Sequence, residues 1–219
     1  MARTPSGTRT SVAKKLSPPV AFTAISNAAE AICTANGHGL QNNTIVLIES
    51  GWGRLNMRAA RVKAVSANNF TLEKIDTSNQ DLFSPNAGAG TFRAVDPADW
   101  VEMDRTKNHT TSGGDAKTIM VKWTESDNEI PLNDGFSAVQ RSFEMDADML
   151  GTVAYNTLVT LSQTQALTIV RRRPKNGSFT LIPGTISFNE EEVESEGQPV
   201  VNKATINAQN TSTRYGPAA

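Results

Sequence analysis

What most constrains this chain is how often its apolar stretches are interrupted. Thr44–Glu49 (TIVLIE) is a compact apolar run that stops at Ser50-Gly51, and Ala31–Thr34 stops at Asn36-Gly37-His38-Gly39. Arg61–Val65 alternates polar and apolar residues before Ser66-Ala67-Asn68-Asn69 turns the chain into Phe70–Glu73. Short alternating or apolar runs bounded by Gly, Asn, Ser and Pro are the signature of strands and turns. The same pattern continues in Trp100–Arg105, Ala116–Thr124, Ser137–Met145, Leu167–Arg173, Ser178–Phe188 and Val200–Ala208. In Ala116–Thr124, Ile119, Val121 and Trp123 share one face. Ser137–Met145 is the expected partner of that strand, after a turn at Asn133-Asp134-Gly135.

One segment departs from this rhythm. Leu150, Ala154, Leu158 and Leu161 recur at the spacing of an amphipathic helix, which predicts a helix over 149–163 with Asp148 as its N-cap. The fold class that follows is mainly β: a β-sandwich or partial barrel with one flanking α-helix, an extended N-terminal arm and a C-terminal hairpin. Residues 1–29 are expected to form a flexible basic arm, since Pro5, Pro18 and Pro19 argue against helix or central strand there. Residues 30–219 are expected to form a single domain, with a β-meander over 30–95 and the helix and hairpin over 96–219.

Composition narrows the function. Twenty-one basic residues nearly cancel 22 acidic ones, leaving a net charge of −1. That balance excludes general disorder and gives no positive field with which to grip DNA. The charge is nonetheless segregated. Arg3, Arg9, Lys14 and Lys15 precede the first acid, Glu30. Arg171, Arg172 and Arg173 end one strand, and Glu190, Glu191, Glu192, Glu194 and Glu196 crowd the link between the last two. Such blocks are either solvated or paired across a subunit interface. The 24 Thr, 18 Asn and 17 Ser suit a strand-rich protein.

No catalytic, cofactor-binding or metal-binding residue emerges. Cys33 is the only cysteine, so it can form no intramolecular disulfide and no cysteine-based zinc site. Neither His38 nor His109 has a second histidine at ligand spacing, and no phosphate loop, dinucleotide fingerprint or nucleophile elbow is present. Asp96, Asp99, Glu102 and Asp104 read as a solvated strand face in preference to an acid–base pair. No stretch has the apolar length of a membrane span. Without a secretion signal, folding in a reducing cytoplasm is expected.

Several motifs in order resemble a known family. They are His38-Gly39-Leu40 with Ile45-Val46, Ser50-Gly51-Trp52, Leu55-Asn56 with Arg58, and Val65 through Glu73. Ile75-Asp76-Thr77-Ser78, Gly88-Ala89-Gly90-Thr91, Trp100 and the turn Ser112-Gly113-Gly114 continue the set. Together, over about Thr34 to Arg173, they resemble the phage major tail protein, or tail tube protein, family of long non-contractile tails. The resemblance implies a structural virion protein whose six copies close into a ring. Rings stack into a tube through which double-stranded DNA and the tape measure protein pass, and terminal arms and a long loop bridge neighbouring rings. It further implies assembly in the host cytoplasm, residence in the virion tail, other tail proteins as partners, and an acidic lumen. The acids expected to line that lumen are Glu125, Asp127, Glu129, Glu144 and Asp146, which cluster around the strands between Ala116 and Met145. The expected interface residues are the basic arm, the triple arginine and the glutamate run. The competing readings are a receptor- or carbohydrate-binding β-sandwich module of a tail tip, and a tail terminator that forms a ring without polymerising.

Overall fold

The computed structural model describes residues 6–217. In chain order the strands are β1 (Arg9–Ala13), β2 (Val20–Phe22), β3 (Ala24–Ile25), β4 (Ile32–Thr34), β5 (Ile45–Ser50) and β6 (Arg58–Lys63). They continue with β7 (Asn69–Leu72), β8 (Gly90–Val95), β9 (Trp100–Met103), β10 (Thr106–Ser112), β11 (Ala116–Val121) and β12 (Ile130–Phe136). Then follow β13 (Gln140–Asp146), the helix α1 (Val153–Thr164), β14 (Thr168–Arg173), β15 (Phe179–Val193), β16 (Val201–Ala208) and β17 (Thr213–Tyr215). The fold is mainly β with one flanking α-helix.

The first sheet runs β2-β8-β5-β6-β7-β4-β3. Its two terminal strands are joined through Thr23 alone, and the Thr23 N–H donates to the Thr34 carbonyl at 2.8 Å. The sheet therefore returns on itself as a nearly closed barrel. Alternation along its strands fills the interior: Val46 and Ile48 of β5, Ala60 and Val62 of β6, and Phe92 of β8 all point inward. Phe70 meets Phe92 edge-on at 5.1 Å, and Trp52 meets Phe83 at 5.2 Å with its indole N–H donated to the Ser84 carbonyl. Cys33 is buried in this interior, which pushes its thiol up to about 12.

The second sheet runs β10-β13-β16-β15-β14-β1-β9, with β17 beside the first residues of β15. One face packs on the outside of the barrel. There Ile45 and Leu47 of β5, Ala59 and Val95 meet Ala13, Ile169, Leu181 and Tyr215. The opposite face carries Val12, Phe143, Val170, Ile182, Ile186 and Phe188, and α1 covers it with Ala154, Tyr155, Leu158 and Leu161. The molecule is thus layered as barrel, sheet and helix, and two apolar cores lie on the two faces of the central sheet.

Several sequence expectations are corrected here. The N-terminal stretch is extended, but β1 is a central strand, antiparallel to β14 on one side and β9 on the other. The prolines lie outside residues 9–13, so their ban on ladder hydrogen bonds does not reach Thr10-Ser11-Val12-Ala13. The helix begins at Val153, with Thr152 as its N-cap accepting from the Tyr155 N–H at 3.3 Å. Gly151, at φ +79°, breaks the chain between that cap and a 3₁₀ turn over Ala147–Met149, which Asp146 caps in place of Asp148. Asn133-Asp134-Gly135 is not a turn. It stays inside β12, where Gly135 at φ +110° accommodates a register shift opposite Lys117/Thr118. β12 takes the place opposite β11, and β13 pairs instead with β10 and β16. The 30–95 region is more than a meander: only β5, β6 and β7 follow in order, and β8 returns to the far edge of β5.

Candidate functional site: charged and apolar assembly surfaces

Both histidines serve the fold. The His38 ring accepts the Leu40 N–H at Nδ1 and lies 2.9 Å from the Ser66 carbonyl at Nε2, so both nitrogens are engaged. His109 stacks on Phe143 at 5.5 Å; burial, then the charge of Arg172, lowers its pKa. Among the described residues no group of three or more His, Cys, Asp or Glu could hold a metal ion, and no helix is long and apolar enough to cross a membrane. The features that call for a ligand are surfaces.

The first is a hairpin without a core. β11 and β12 pair with each other and with no other strand among the described residues. Gly113, at φ +77°, sets the corner at its base; a Cβ there would sit 1.9 Å from the Ala138 carbonyl oxygen. Ile119 pairs with Leu132 and Val121 with Ile130, so one face carries four apolar side chains, and Trp123 extends it. Val121 is half-buried, but Ile130, Leu132, Ile119 and Trp123 are 45%, 49%, 51% and 60% exposed, and Phe136 at the base reaches 77%. A two-stranded hairpin with an apolar face in water is marginal by itself and marks an interaction surface. The tip carries Glu125, Asp127 and Glu129, all exposed.

The second surface is the helix-covered face of the large sheet, which is concave. Thr10 of β1 and Thr110 of β10 line one cleft with His109, Arg141 and Arg172, although four strands separate β1 from β10 in the sheet. Flat strands spaced about 4.8 Å apart could not bring them together. Alternation also divides the triple arginine. Arg172 shares the concave face with Val170. Arg171 lies on the other face, its guanidinium 4.1 Å over the Trp100 ring, and burial, then Arg173, lowers it to about 10. Arg214 of β17 and Arg141 of β13 join Arg172, and burial followed by these two charges lowers Arg141. Sequence reading missed Arg141 and Arg214 because each stands alone in its segment; only the curl of the sheet brings them together.

The other expected residues are dispersed. Arg9 pairs with Glu102 at 3.4 Å and Lys14 with Asp99 at 3.3 Å, so the arm's cations and the acidic strand face neutralise one another within the chain. Lys15 is exposed at a cleft beside His38, and Arg3 lies outside the described residues. Glu144 faces Lys107 at 3.8 Å and Asp146 faces Arg105 at 3.4 Å, away from the acids of the hairpin tip. Glu190, Glu191 and Glu192 extend β15, while Glu194 and Glu196 lie beyond it in the turn to β16.

No curated protein matches the chain. A family model does, described as phage tail tube protein (TTP), over residues 50–217. The match starts later than the resemblance noted from the motifs and runs further, through β15, β16 and β17. It includes the projecting hairpin, the helix and every strand of the concave sheet except β1, and it covers most of the chain: this protein belongs to the phage tail tube protein family.

Proposed function

We propose that the chain is the repeating subunit of the tube of a long, non-contractile phage tail, with six copies closing into a ring and rings stacking around a channel for double-stranded DNA. Family membership carries this reading, and the exposed apolar hairpin supports it as an element whose partner is supplied by assembly. The tube's other partners are the tape measure protein and further tail proteins, and assembly in the host cytoplasm precedes residence in the virion. The role is structural, without catalysis. A near-neutral subunit suits a conduit past which DNA must slide.

Within this reading Glu125, Asp127 and Glu129 contribute a repulsive lining to the channel. Glu144 and Asp146 contribute less net charge, each being opposite a basic residue. The exposed cations of the arm, Arg173 and the glutamate run lie at contacts between subunits. Negative-stain microscopy of the purified protein is the test. Long hollow tubes or stacked rings are expected; single rings would favour a terminator, and monomers that bind glycans would favour a receptor module. A tube map with a basic lumen would overturn the acidic lining.

A further inference from the structure

The concave face of the large sheet carries opposite charges at its two ends. At one end, Arg172 and Arg214 sit directly across from Thr180 on the two edges of β15, and Arg141 reaches toward them from β13. The Arg141 Nε is buried without a hydrogen-bond partner, and neither Arg141 nor Arg214 forms an ion pair among the described residues. Three like charges held on one face raise each other's free energy, and a carboxylate group would relieve them.

At the other end β15 continues to Glu190, ten residues past Thr180, or about 33 Å at the rise of a strand. Glu190 and Glu192 lie on the same concave face; burial, and then these two charges, raise the Tyr155 hydroxyl of α1. Glu194 and Glu196 complete the block in the turn. All five glutamates are exposed, and none is ion-paired among the described residues. One strand, hydrogen-bonded to β14 and β17 at its start and to β16 further on, holds the two charge blocks apart. They cannot meet inside one molecule.

We infer that the glutamate-rich end of the β15–β16 hairpin of one copy docks into the arginine cleft of the next copy, formed by Arg141, Arg172 and Arg214. The contact is heterologous, a donor end meeting a different acceptor surface, so it propagates head to tail and does not close as a dimer. Arginine suits the task, since its fork of donors matches carboxylates in pairs. This inference rests on the reading of the chain as a self-assembling subunit and names the contact by which copies join.

Crosslinking tests it. Full-length Arg214→Cys and Glu194→Cys variants are mixed and treated with a short bis-maleimide; Cys33 is buried and stays out of the reaction. A product of twice the chain mass that requires both variants is expected. It should be lost when the Glu194→Cys copy also carries Glu190→Lys and Glu192→Lys. It should return when the Arg214→Cys copy then carries Arg141→Glu and Arg172→Glu. The glutamate changes lie on exposed positions and leave folding intact, so loss of product there reads the contact itself. No mixed product, or a product indifferent to reversal, overturns the docking. Tubes without the product leave the tube reading standing and sink this contact; the product without rings or tubes does the reverse.

Discussion

Tyr215 shows how one side chain can join the layers of this fold. Its hydroxyl accepts the Arg61 N–H at 2.8 Å and lies 3.2 Å from the Glu73 carbonyl, while its ring stacks on Phe179 at 4.6 Å. The C-terminal strand of the large sheet is thereby fastened to the barrel. Arg61 lies over the same ring at 4.9 Å and pairs with Glu73 at 2.5 Å. Tyr215→Phe leaves the Arg61 N–H unsatisfied in a buried setting and should cost about 1–3 kcal/mol in urea unfolding at neutral pH. Burial raises the tyrosine from 10.0 to about 12. The phenol's contribution is therefore complete below pH 10 and is lost as pH climbs through the folded value, because the unfolded chain gives up its proton first. That rise amounts to roughly 3 kcal/mol. The gap between wild type and Tyr215→Phe should narrow as unfolding is measured from pH 9 to pH 12; a constant gap would place the hydroxyl in water.

At the scale of elements, the projecting hairpin joins packing to function most directly. Trp123 and Phe136 are 60% and 77% exposed in the subunit, so replacing both with Ser should change its stability by less than about 0.5 kcal/mol. If the apolar face is buried on assembly, the same variant should stay monomeric in sedimentation velocity under conditions where wild type forms tubes. Tubes of normal length would remove the hairpin from the contact. The shared face of Ile119, Val121 and Trp123 was legible in sequence because period two is a local property. Its partner strand was not. Asn133-Asp134-Gly135 has turn chemistry, and nothing local reveals that pairing with β11 across a register shift keeps it extended. The helix was legible from its leucine spacing, but its start depended on whether the chain turned at Gly151. β8 and β10 escaped notice for a related reason: Thr91-Phe92-Arg93-Ala94 and Lys107-Asn108-His109-Thr110 are weak strands in isolation, and their partners recruit them. Charge blocks showed plainly in the sequence, whereas the arginine cleft required three strands distant along the chain.

The whole molecule is held by contacts between distant parts of the chain. β1, at residues 9–13, fills the slot between β9 and β14, and the Thr168 hydroxyl donates to the Ala13 carbonyl at 2.6 Å. Val12 faces the helix-side core, and Ala13 and Leu16 face the barrel-side core, so this short stretch contributes to both. The N-terminal region therefore has two separable parts: residues 9–16, which complete the subunit, and the residues before them. Deleting 1–16 removes a central strand and leaves β9 and β14 with unpaired edges over an open core. The loss should be on the order of 5 kcal/mol or more, comparable to the whole stability of a typical domain. That variant should show no cooperative urea transition. Deleting 1–8 removes Arg3 and leaves β1 intact, so its transition should coincide with that of wild type. Tube length in the 1–8 deletion then measures docking of the arm alone, free of any folding defect. Shortened or absent tubes would assign the arm a bridging role, and tubes of normal length would confine its contribution to β1. A cooperative transition in the 1–16 deletion would mean that β9 and β14 do not need the strand between them.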